Sequence, residues 1–250
     1  MERKLADVVR TDVLGVPVDV VKSQDLPSVI AALLAEPGRN QIVFLRTWDL
    51  MRARRSRAVR LMLRNAALVI PVSRGIQRGA RFLLRRVPER YHPFDFVIRM
   101  LNVVEEKRAS LYLLGLKRKD IVLVEGNIRR TFPGIALVGR YNGYYPSSVE
   151  PDIIMAIKKA APSVLLAGPG VPRRDRWIND RKSQLHPGIY VWSAEVLEIL
   201  ADRRQRPPRK SFERGTDTLA DAVRRPWRIL RLFVYAWYGL LLLAYRVLKK

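Results

Sequence analysis

The sequence predicts an α/β fold in which helices cover both faces of a doubly wound, mostly parallel, Rossmann-like sheet. Short apolar runs rich in valine, leucine and isoleucine recur along the chain, and such runs are typical of strands that are buried on both faces. Stretches with helical spacing separate these runs at least five times, and glycine or proline follows several of them. We therefore expect right-handed crossovers and a ligand site beyond the carboxyl ends of the strands.

Strands and helices alternate in this prediction as far as residue 201. Amphipathic spacing supports the helices, as where Leu26, Ile30 and Leu33 share one face, and the residues between segments favour turns. Pro172 suits the first position of a helix and is predicted to begin one. The predicted strands are residues 18–21, 41–45, 67–70, 111–114, 135–138, 163–167 and 189–192. The other predicted helices are residues 25–36, 48–65, 75–87, 94–106, 119–132, 149–161 and 194–201.

Charge and composition narrow the class of protein. The 250 residues include 47 Lys and Arg against 23 Asp and Glu, which gives a formal net charge of +24. Such a charge indicates nucleic acid, an anionic membrane surface or a nucleotide-bearing substrate as a partner. The sequence contains no RRM, helix-turn-helix, zinc-finger or KH signature, which argues against nucleic acid. Because the chain has no cysteine and only His92 and His186, which are widely separated, we expect no disulfide, no metal site and no cofactor.

The composition changes after residue 201 and divides the chain into three predicted parts. These parts are an α/β domain over residues 1–201, a basic linker or appendage over residues 202–226, and a membrane-associating helix over residues 227–250. The last part has an uncharged stretch at residues 232–245, which is shorter than the ~20 residues that span a bilayer.

Arginines and interfacial aromatics accompany this C-terminal stretch, among them Trp227, Arg231, Trp237 and Arg246. They predict a helix that lies on an anionic leaflet or is shallowly inserted in it. A marginal span with snorkelling arginines, or a core helix packed on the domain, remain as alternatives. An exposed apolar helix would equally suit a homo-oligomer or a partner protein.

A glycine-containing turn within residues 161–177 is a candidate anion site. A predicted strand leads into Gly168, Pro169 and Gly170, and Arg173 and Arg174 follow. Backbone N–H groups at a helix start, together with arginines, bind phosphate. The alternative is an ordinary turn between a strand and a helix with solvated arginines.

Several motifs, in this order, resemble the WecG/TagA/CpsF glycosyltransferases (glycosyltransferase family 26), from about residue 18 onward. They are LRNAALVIPVSRGI (63–76), PERYHPFDF (88–96), LYLLG (111–115), FPGIALVGRYNGYY (132–145), VLLAGPGVPRRDRWI (164–178), and the weaker RPPRK (206–210) and RRPWRILR (224–231). The resemblance implies an enzyme that transfers an N-acetylhexosamine-type sugar from a UDP-sugar to a polyprenyl-diphosphate-linked sugar in cell-surface polysaccharide synthesis. It also implies a C-terminal appendage that places the enzyme on the membrane and helps to close the site.

The resemblance assigns expected positions within the site. Gly115 would lie in a loop on the nucleotide side, and Tyr144 in a second loop at the same sheet edge. Arg90, Arg173 and Arg174 would neutralise diphosphate charge, with Gly168 and Gly170 beside them. Since the charged N-terminal residues do not form an export signal, the expected location is the cytoplasmic face of the plasma membrane.

The chain departs from the family where a catalytic base is proposed. The family's Pro-Asp-Gly appears as Pro71, Val72 and Ser73, and valine cannot accept a proton. The family's Thr-x-Asn falls on Phe44 and Arg46. Two further motifs are replaced: Pro-Lys-Gln-Glu appears as residues 172–175, and Gly-Ala-Phe-Asp appears as Glu195, Val196, Leu197 and Glu198. Arg90 and Asp95 keep the spacing of the family's Arg-x-x-Gly-x-Asp, but Pro93 replaces its glycine.

Three carboxylates are candidates for the missing base: Asp49, Asp95 and Asp175, with His92 as a further group. Asp49 belongs to Thr47-Trp48-Asp49, which supplies a hydroxyl and a carboxylate three residues after the position of the family's Thr-x-Asn. The alternative is that this segment is a helix N-cap. Two hypotheses follow. The protein is either a membrane-associated glycosyltransferase or a catalytically silent relative that binds an enzyme or a lipid-linked sugar of polysaccharide assembly.

Overall fold

Six parallel strands form the central sheet of the computed structural model, which describes residues 7–84, 87–208 and 230–248. The strands are β1 (Val9–Val13), β2 (Val16–Val20), β3 (Arg39–Leu45), β4 (Leu68–Pro71), β5 (Ser110–Leu114), β6 (Ala136–Tyr141), β7 (Val164–Ala167) and β8 (Gly188–Trp192). The helices are α1 (Leu26–Ala35), α2 (Thr47–Arg55), α3 (Arg57–Arg64), α4 (Arg74–Leu84), α5 (Pro93–Glu106), α6 (Arg118–Thr131), α7 (Glu150–Ala160), α8 (Asp175–Arg181), α9 (Ala194–Leu200) and α10 (Leu230–Leu248).

The sheet order β4-β3-β8-β7-β5-β6 confirms the predicted doubly wound α/β fold. Every pairing within this sheet is parallel, so all six carboxyl ends lie at one edge. The helices that follow β5 and β8 cover one face of the sheet, and those that follow β3 and β7 cover the other. Crevices therefore open between neighbouring strands at the carboxyl edge, where ligands bind in such folds.

Three apolar clusters fill the space between the sheet and the helices. One lies under α1, α5, α6 and α9, and the other two share the opposite face, one beneath α2, α3, α4 and α10 and one beneath α7 and α8. Alternation along β3 explains the division, because Ile42 belongs to the first cluster and its neighbours Val43 and Leu45 to the second.

Two predicted helices differ from the structure. The single helix expected over residues 48–65 is broken at Ser56, whose backbone is extended (φ −114°, ψ 111°) and whose hydroxyl accepts a hydrogen bond from the N–H of Val59. The helix expected from Pro172 begins at Asp175, because Arg173 and Arg174 adopt φ values of 57° and 55°, which a right-handed helix excludes.

An antiparallel hairpin at the N-terminus was only half predicted. Strand β2 matches the run at residues 18–21, but β1 was not expected, because Val9–Val13 alternates polar and apolar residues over a short span. Leu14 and Gly15 close the hairpin with φ values of 54° and 77°, as a two-residue turn with a left-handed backbone requires.

Helix α10 lies against α4 and α2 on one face of the domain. The hydroxyl of the buried Tyr238 donates a hydrogen bond to the backbone oxygen of Gly75 (3.0 Å), and Gly79 allows the close approach, since a Cβ there would collide with that hydroxyl. Five large apolar side chains of the same helix are exposed: Tyr235, Trp237, Leu240, Leu243 and Val247. In the described ranges, none of the helices is both long and apolar enough to cross a membrane.

Candidate functional site

The loops that follow β3, β7 and β8 bring charged side chains together at the carboxyl edge of the sheet. Helix α2 begins directly after β3 and carries Asp49 in its first turn. Helix α8 follows the turn after β7 and begins with Asp175, while Glu195 lies in the first turn of α9 after β8. The fold thus gathers three carboxylates that are far apart in the sequence.

Asp49 is a partly buried carboxylate whose charge is only partly compensated. Burial raises the pKa of Asp49, while the charges of Arg46, Arg174 and Arg52 and the backbone N–H of Arg46 oppose this increase. Because Arg46 is the N-cap of α2 and Asp49 its third residue, the carboxylate also compensates the positive end of the helix.

Asp175 is the most perturbed carboxyl at this edge. Burial, followed by the negative charge of Asp49, raises the pKa of Asp175 to about 7. Its Oδ1 is buried and has no hydrogen-bond partner among the described residues. Its backbone oxygen accepts a hydrogen bond from Nε2 of the buried Gln41 in β3 (2.8 Å), which fixes the start of α8 above the strand. A carboxyl in such surroundings exchanges its proton near neutral pH.

Arginines surround the carboxylate pair and are open to solvent. The Arg174 guanidinium lies 5.5 Å from the centre of the Trp192 ring, and the indole N–H of Trp192 donates to the backbone oxygen of Gly168 (3.0 Å). Arg173 pairs loosely with Asp180 (3.6 Å) and has 68% of its side chain exposed. The positive φ angles of both arginines are unusual for residues other than glycine, and such conformations are concentrated at functional sites.

A second charge cluster lies at the start of α9. The carboxylate of Glu195 is within 3.1 Å of His92 Nε2 and 3.4 Å of both Arg46 and Arg204. Although burial opposes its ionisation, the hydrogen bond with His92 and the charges of Arg204 and Arg46 lower the pKa of Glu195. Arg46 thus links this cluster to Asp49 and Asp175.

The predicted residues Asp95 and Arg90 lie at the start of α5 and just before it. Arg206 forms an ion pair with Asp95 (2.6 Å) and lies over the ring of Phe94. Arg90 is partly buried in the segment that leads to α5. The structure therefore attaches the first residues of the predicted linker to the domain and leaves Asp95 paired with an arginine.

Glycines let three loops cross at the carboxyl ends of β5, β6 and β7. A Cβ on Gly143 would lie 2.2 Å from the oxygen of Pro169, and one on Gly115 would lie 3.0 Å from Gly168. The N–H groups of Gly115 and Gly168 donate to the backbone oxygens of Tyr141 and Leu114. Tyr144 has 61% of its surface exposed and lies against Gly170. These glycines shape the floor of the edge, and Tyr144 is available to a ligand.

Val72 lies buried at the end of β4, where its N–H donates to the oxygen of Leu45 (3.0 Å). The next residue, Ser73, bonds through its Oγ to Oγ1 of the buried Thr47 (2.7 Å) and accepts the N–H of Thr47. Thr47 is the first residue of α2 and not its N-cap, so its hydroxyl serves the contact with Ser73.

Two residues of this edge were not expected from the sequence. Glu195 was noted only as a departure from a family motif, although an acidic residue soon after a buried strand is a signal for this edge. Gln41 was overlooked, although a buried amide at the start of an apolar run must find a hydrogen-bond partner. Two predicted residues fall outside what the structure describes: Trp227, and the side chain of Arg231. Within the described ranges, His, Asp and Glu form no group of three or more suited to a metal ion.

Comparisons with known proteins agree with the motifs. The model of the Glycosyl transferase WecG/TagA/CpsF family matches residues 11–250. A similar protein of Bacillus subtilis, named N-acetylglucosaminyldiphosphoundecaprenol N-acetyl-beta-D-mannosaminyltransferase, is 21% identical over 191 residues, which cover 76% of this chain and 73% of that protein. The protein of the same name from Bacillus spizizenii is 19% identical over 147 residues, or 59% of this chain and 56% of that protein.

Proposed function

Because the chain belongs to the WecG/TagA/CpsF glycosyltransferase family, we propose that it transfers an N-acetylhexosamine-type sugar from a UDP-sugar to a polyprenyl-diphosphate-linked acceptor. The names of both relatives describe transfer to N-acetylglucosaminyldiphosphoundecaprenol, which supports this acceptor class. The reaction would take place at the cytoplasmic face of the plasma membrane and contribute to cell-surface polysaccharide.

The observation that carries this proposal is the pair formed by Asp49 and Asp175. A sugar transfer needs a base that removes the proton from the acceptor hydroxyl as the oxygen attacks the anomeric carbon. Val72 stands where the resemblance places the family's carboxylate. The charges of nearby arginines act on Asp49 and Asp175, but among the described residues neither carboxylate forms a direct ion pair.

We assign the base to Asp49 and a supporting role to Asp175. Asp49 lies on α2 one turn before Arg52, which borders α10, whereas Asp175 adjoins Arg174 and the glycine turn. As the new C–O bond forms, Asp49 takes the hydroxyl proton and the bond between the sugar and UDP breaks. Arg174, Arg173 and Arg46 would stabilise the charge that develops on the departing diphosphate, and Arg90 is a further candidate.

Helix α10 supports association with the membrane surface. Its exposed Leu240, Leu243 and Val247 lie on the face opposite the contact that Tyr238 makes with the domain, while the half-exposed Trp237 borders α2. Arg246 lies over the ring of Phe82, 4.4 Å from its centre, and this contact holds one cation near the C-terminal end of α10. Amphipathic helices with exposed aromatics and arginines bind anionic leaflets.

A single-turnover assay tests the transfer. The full-length protein is mixed with labelled UDP-N-acetylhexosamines and a prenyl-diphosphate-linked N-acetylglucosamine in vesicles. We expect transfer by the natural protein and a loss of at least ~100-fold in Asp49→Asn. Asp152→Asn changes an exposed carboxylate in the first turn of α7 and is the matched control, which should retain the natural rate.

Val72 favours a second function, that of a catalytically silent relative. The buried aliphatic side chain leaves no proton acceptor at the position where the resemblance places the base. Such a protein would bind the lipid-linked sugar or a partner of polysaccharide assembly without transfer. Release of UDP no faster than in buffer with every donor, together with retained binding of the acceptor, would establish this function and refute the first.

A further inference from the structure

A groove lies between α2 and α10, and the transfer chemistry leaves it without a role. Its volume is about 400 Å³, within the range of ~300–1,000 Å³ typical of small-molecule sites. Trp48, Met51, Val234 and Trp237 supply most of its wall, and Arg52, Arg55 and Ser56 complete it. The groove is therefore apolar with a cationic border.

Helix α2 connects this groove to the carboxylate pair. Asp49 lies in the first turn of α2, and Arg52 follows one turn later. The charge of Arg52 acts on Asp49, and the same side chain lines the groove. Helix α2 thus carries the Asp49 carboxylate, the Arg52 guanidinium and part of the apolar wall, Trp48 and Met51, within two turns.

The cations of this border are available to an anion. Arg52 and Arg55 are exposed, and in the described part of the chain neither lies within ion-pair distance of a carboxylate. Two guanidinium groups one turn apart match the charge of a diphosphate. The exposed halves of Trp48 and Trp237 (47% and 49% exposed) offer flat apolar surface next to these cations.

From this combination of apolar wall, cationic border and nearby carboxylate we infer that the groove binds the first isoprene units of the acceptor's polyprenyl chain, with Arg52 and Arg55 on its diphosphate. The inference rests on the proposed function for the identity of the lipid. Such an acceptor joins a sugar, a diphosphate and an isoprenoid chain, and α2 offers a carboxylate, two guanidinium groups and apolar side chains that suit these three parts. The groove would thereby place the acceptor hydroxyl at the base before the donor sugar is attacked.

Binding of a short soluble lipid tests this inference without transfer and without a membrane. Farnesyl diphosphate and inorganic diphosphate are titrated separately into the full-length protein by calorimetry. We expect farnesyl diphosphate to bind about tenfold more tightly, because the groove removes apolar carbon from water. Equal affinity for the two ligands would overturn the inference.

Variants then locate the contact. Val234→Trp fills the groove and Trp237→Ala removes one wall, so both should abolish the preference for the farnesyl chain while binding of inorganic diphosphate is retained, which also reports that the protein is folded. Arg55→Gln should weaken the binding of both farnesyl diphosphate and inorganic diphosphate. Leu243→Ala, on the exposed face of the same helix but outside the groove, is the matched control and should change neither affinity.

Two results separate this inference from the others. If the farnesyl preference depends on Trp237 but no donor sugar is transferred, the proposed function fails and the groove assignment stands. If transfer proceeds while Val234→Trp leaves the farnesyl preference intact, the groove assignment fails alone. A change in sedimentation mass of Trp237→Ala, with unchanged farnesyl diphosphate binding, would assign the groove to a second copy of the chain and overturn the inference.

Discussion

The negative charge of Asp49 raises the pKa of Asp175, although the two residues lie in the first turns of helices that follow different strands of the sheet. Burial is the larger cause, and Arg174 and Arg46 reduce the effect without cancelling it. The pair therefore stores an unfavourable interaction at the edge where a ligand would bind. Carboxyl groups with strongly shifted pKa values are concentrated at functional sites, where they act on a bound ligand.

The first prediction concerns stability and pH. The folded protein holds a proton on Asp175 up to about pH 7, whereas the unfolded chain releases it near pH 4. The folded state binds more protons between these values, so this carboxyl makes the free energy of unfolding fall as the pH rises from about 4 to 7. Asp175→Asn should therefore stabilise the protein at pH 8 by on the order of 2 kcal/mol and much less at pH 4.

Urea denaturation at both pH values measures this difference. Asp152→Asn, which replaces an exposed carboxylate, should leave the free energy of unfolding within about 0.5 kcal/mol at either pH. A stabilisation of Asp175→Asn that is equal at pH 4 and pH 8 would show that the charge of Asp175 is not its cause.

The second prediction concerns the donor. Arg174→Ala should raise the Kd for UDP about tenfold, because a charge-assisted hydrogen bond to a phosphate contributes roughly 1.5–3 kcal/mol. Calorimetric titration of UDP measures the change. Arg129→Ala removes an exposed arginine that pairs with Glu125 on α6, and it should leave UDP binding unaltered. Equal effects of the two variants would indicate a general effect of net charge.

The third prediction concerns the crossing of the loops. Gly143→Ala should destabilise the protein by about 2–3 kcal/mol, since the new methyl group would lie 2.2 Å from the Pro169 oxygen. Gly126→Ala makes the same change inside α6, where nothing lies within 4 Å of the added carbon, and should stabilise the protein by up to about 1 kcal/mol. Thermal unfolding of both variants checks the opposite signs.

The fourth prediction concerns Glu195. Because its pKa is lowered, its ion pairs stabilise the folded state above the unfolded value of about 4.5, and this contribution is lost as the pH falls through the lower folded value. Glu195→Gln should cost about 2 kcal/mol at pH 7, a figure reduced by the exposure of Arg46 and Arg204. Denaturation at pH 7 and at successively lower pH values should show a cost of Glu195→Gln that decreases as the pH falls below about 4.5.

The fifth prediction concerns the C-terminal helix. Replacing Trp237, Leu240 and Leu243 with serine should move the protein from the pellet to the supernatant when it is sedimented with anionic vesicles, as should deletion of residues 227–250. Val122 and Leu123 on α6 have similar exposure, so their replacement with serine controls for general loss of apolar surface. Unchanged sedimentation of the helix variants would refute a role of α10 in membrane binding.

The strands and their order of alternation could be predicted because buried parallel strands appear as continuous apolar runs. The break at Ser56 could not, since arginines and apolar residues keep helical spacing on both sides of it and only the extended backbone of Ser56 separates α2 from α3. Similarly, Pro172 favoured a helix start, but the positive φ angles of Arg173 and Arg174 are set by tertiary contacts.

The candidate site was predicted as separate residues and not as an arrangement. Asp49 and Asp175 were both candidates, yet their mutual influence depends on Gln41 fixing the start of α8 above β3. Asp95 matched a family spacing and forms an ion pair with Arg206 of the predicted linker, which spacing along the chain does not reveal. Sequence patterns locate an edge of a sheet, but they do not give distances across it.

The hydrogen bond from Tyr238 to Gly75 would have a mechanical consequence under the proposed association of α10 with a lipid surface. A helix attached to the domain through a buried tyrosine restricts how far the domain can tilt relative to the plane in which that helix lies. Rotation about the membrane normal and lateral diffusion would remain possible, but the packing of α10 on α4 would fix the height of the carboxyl edge above the lipid. Diffusion in two dimensions at constant height would then present the site to each lipid headgroup in the same orientation.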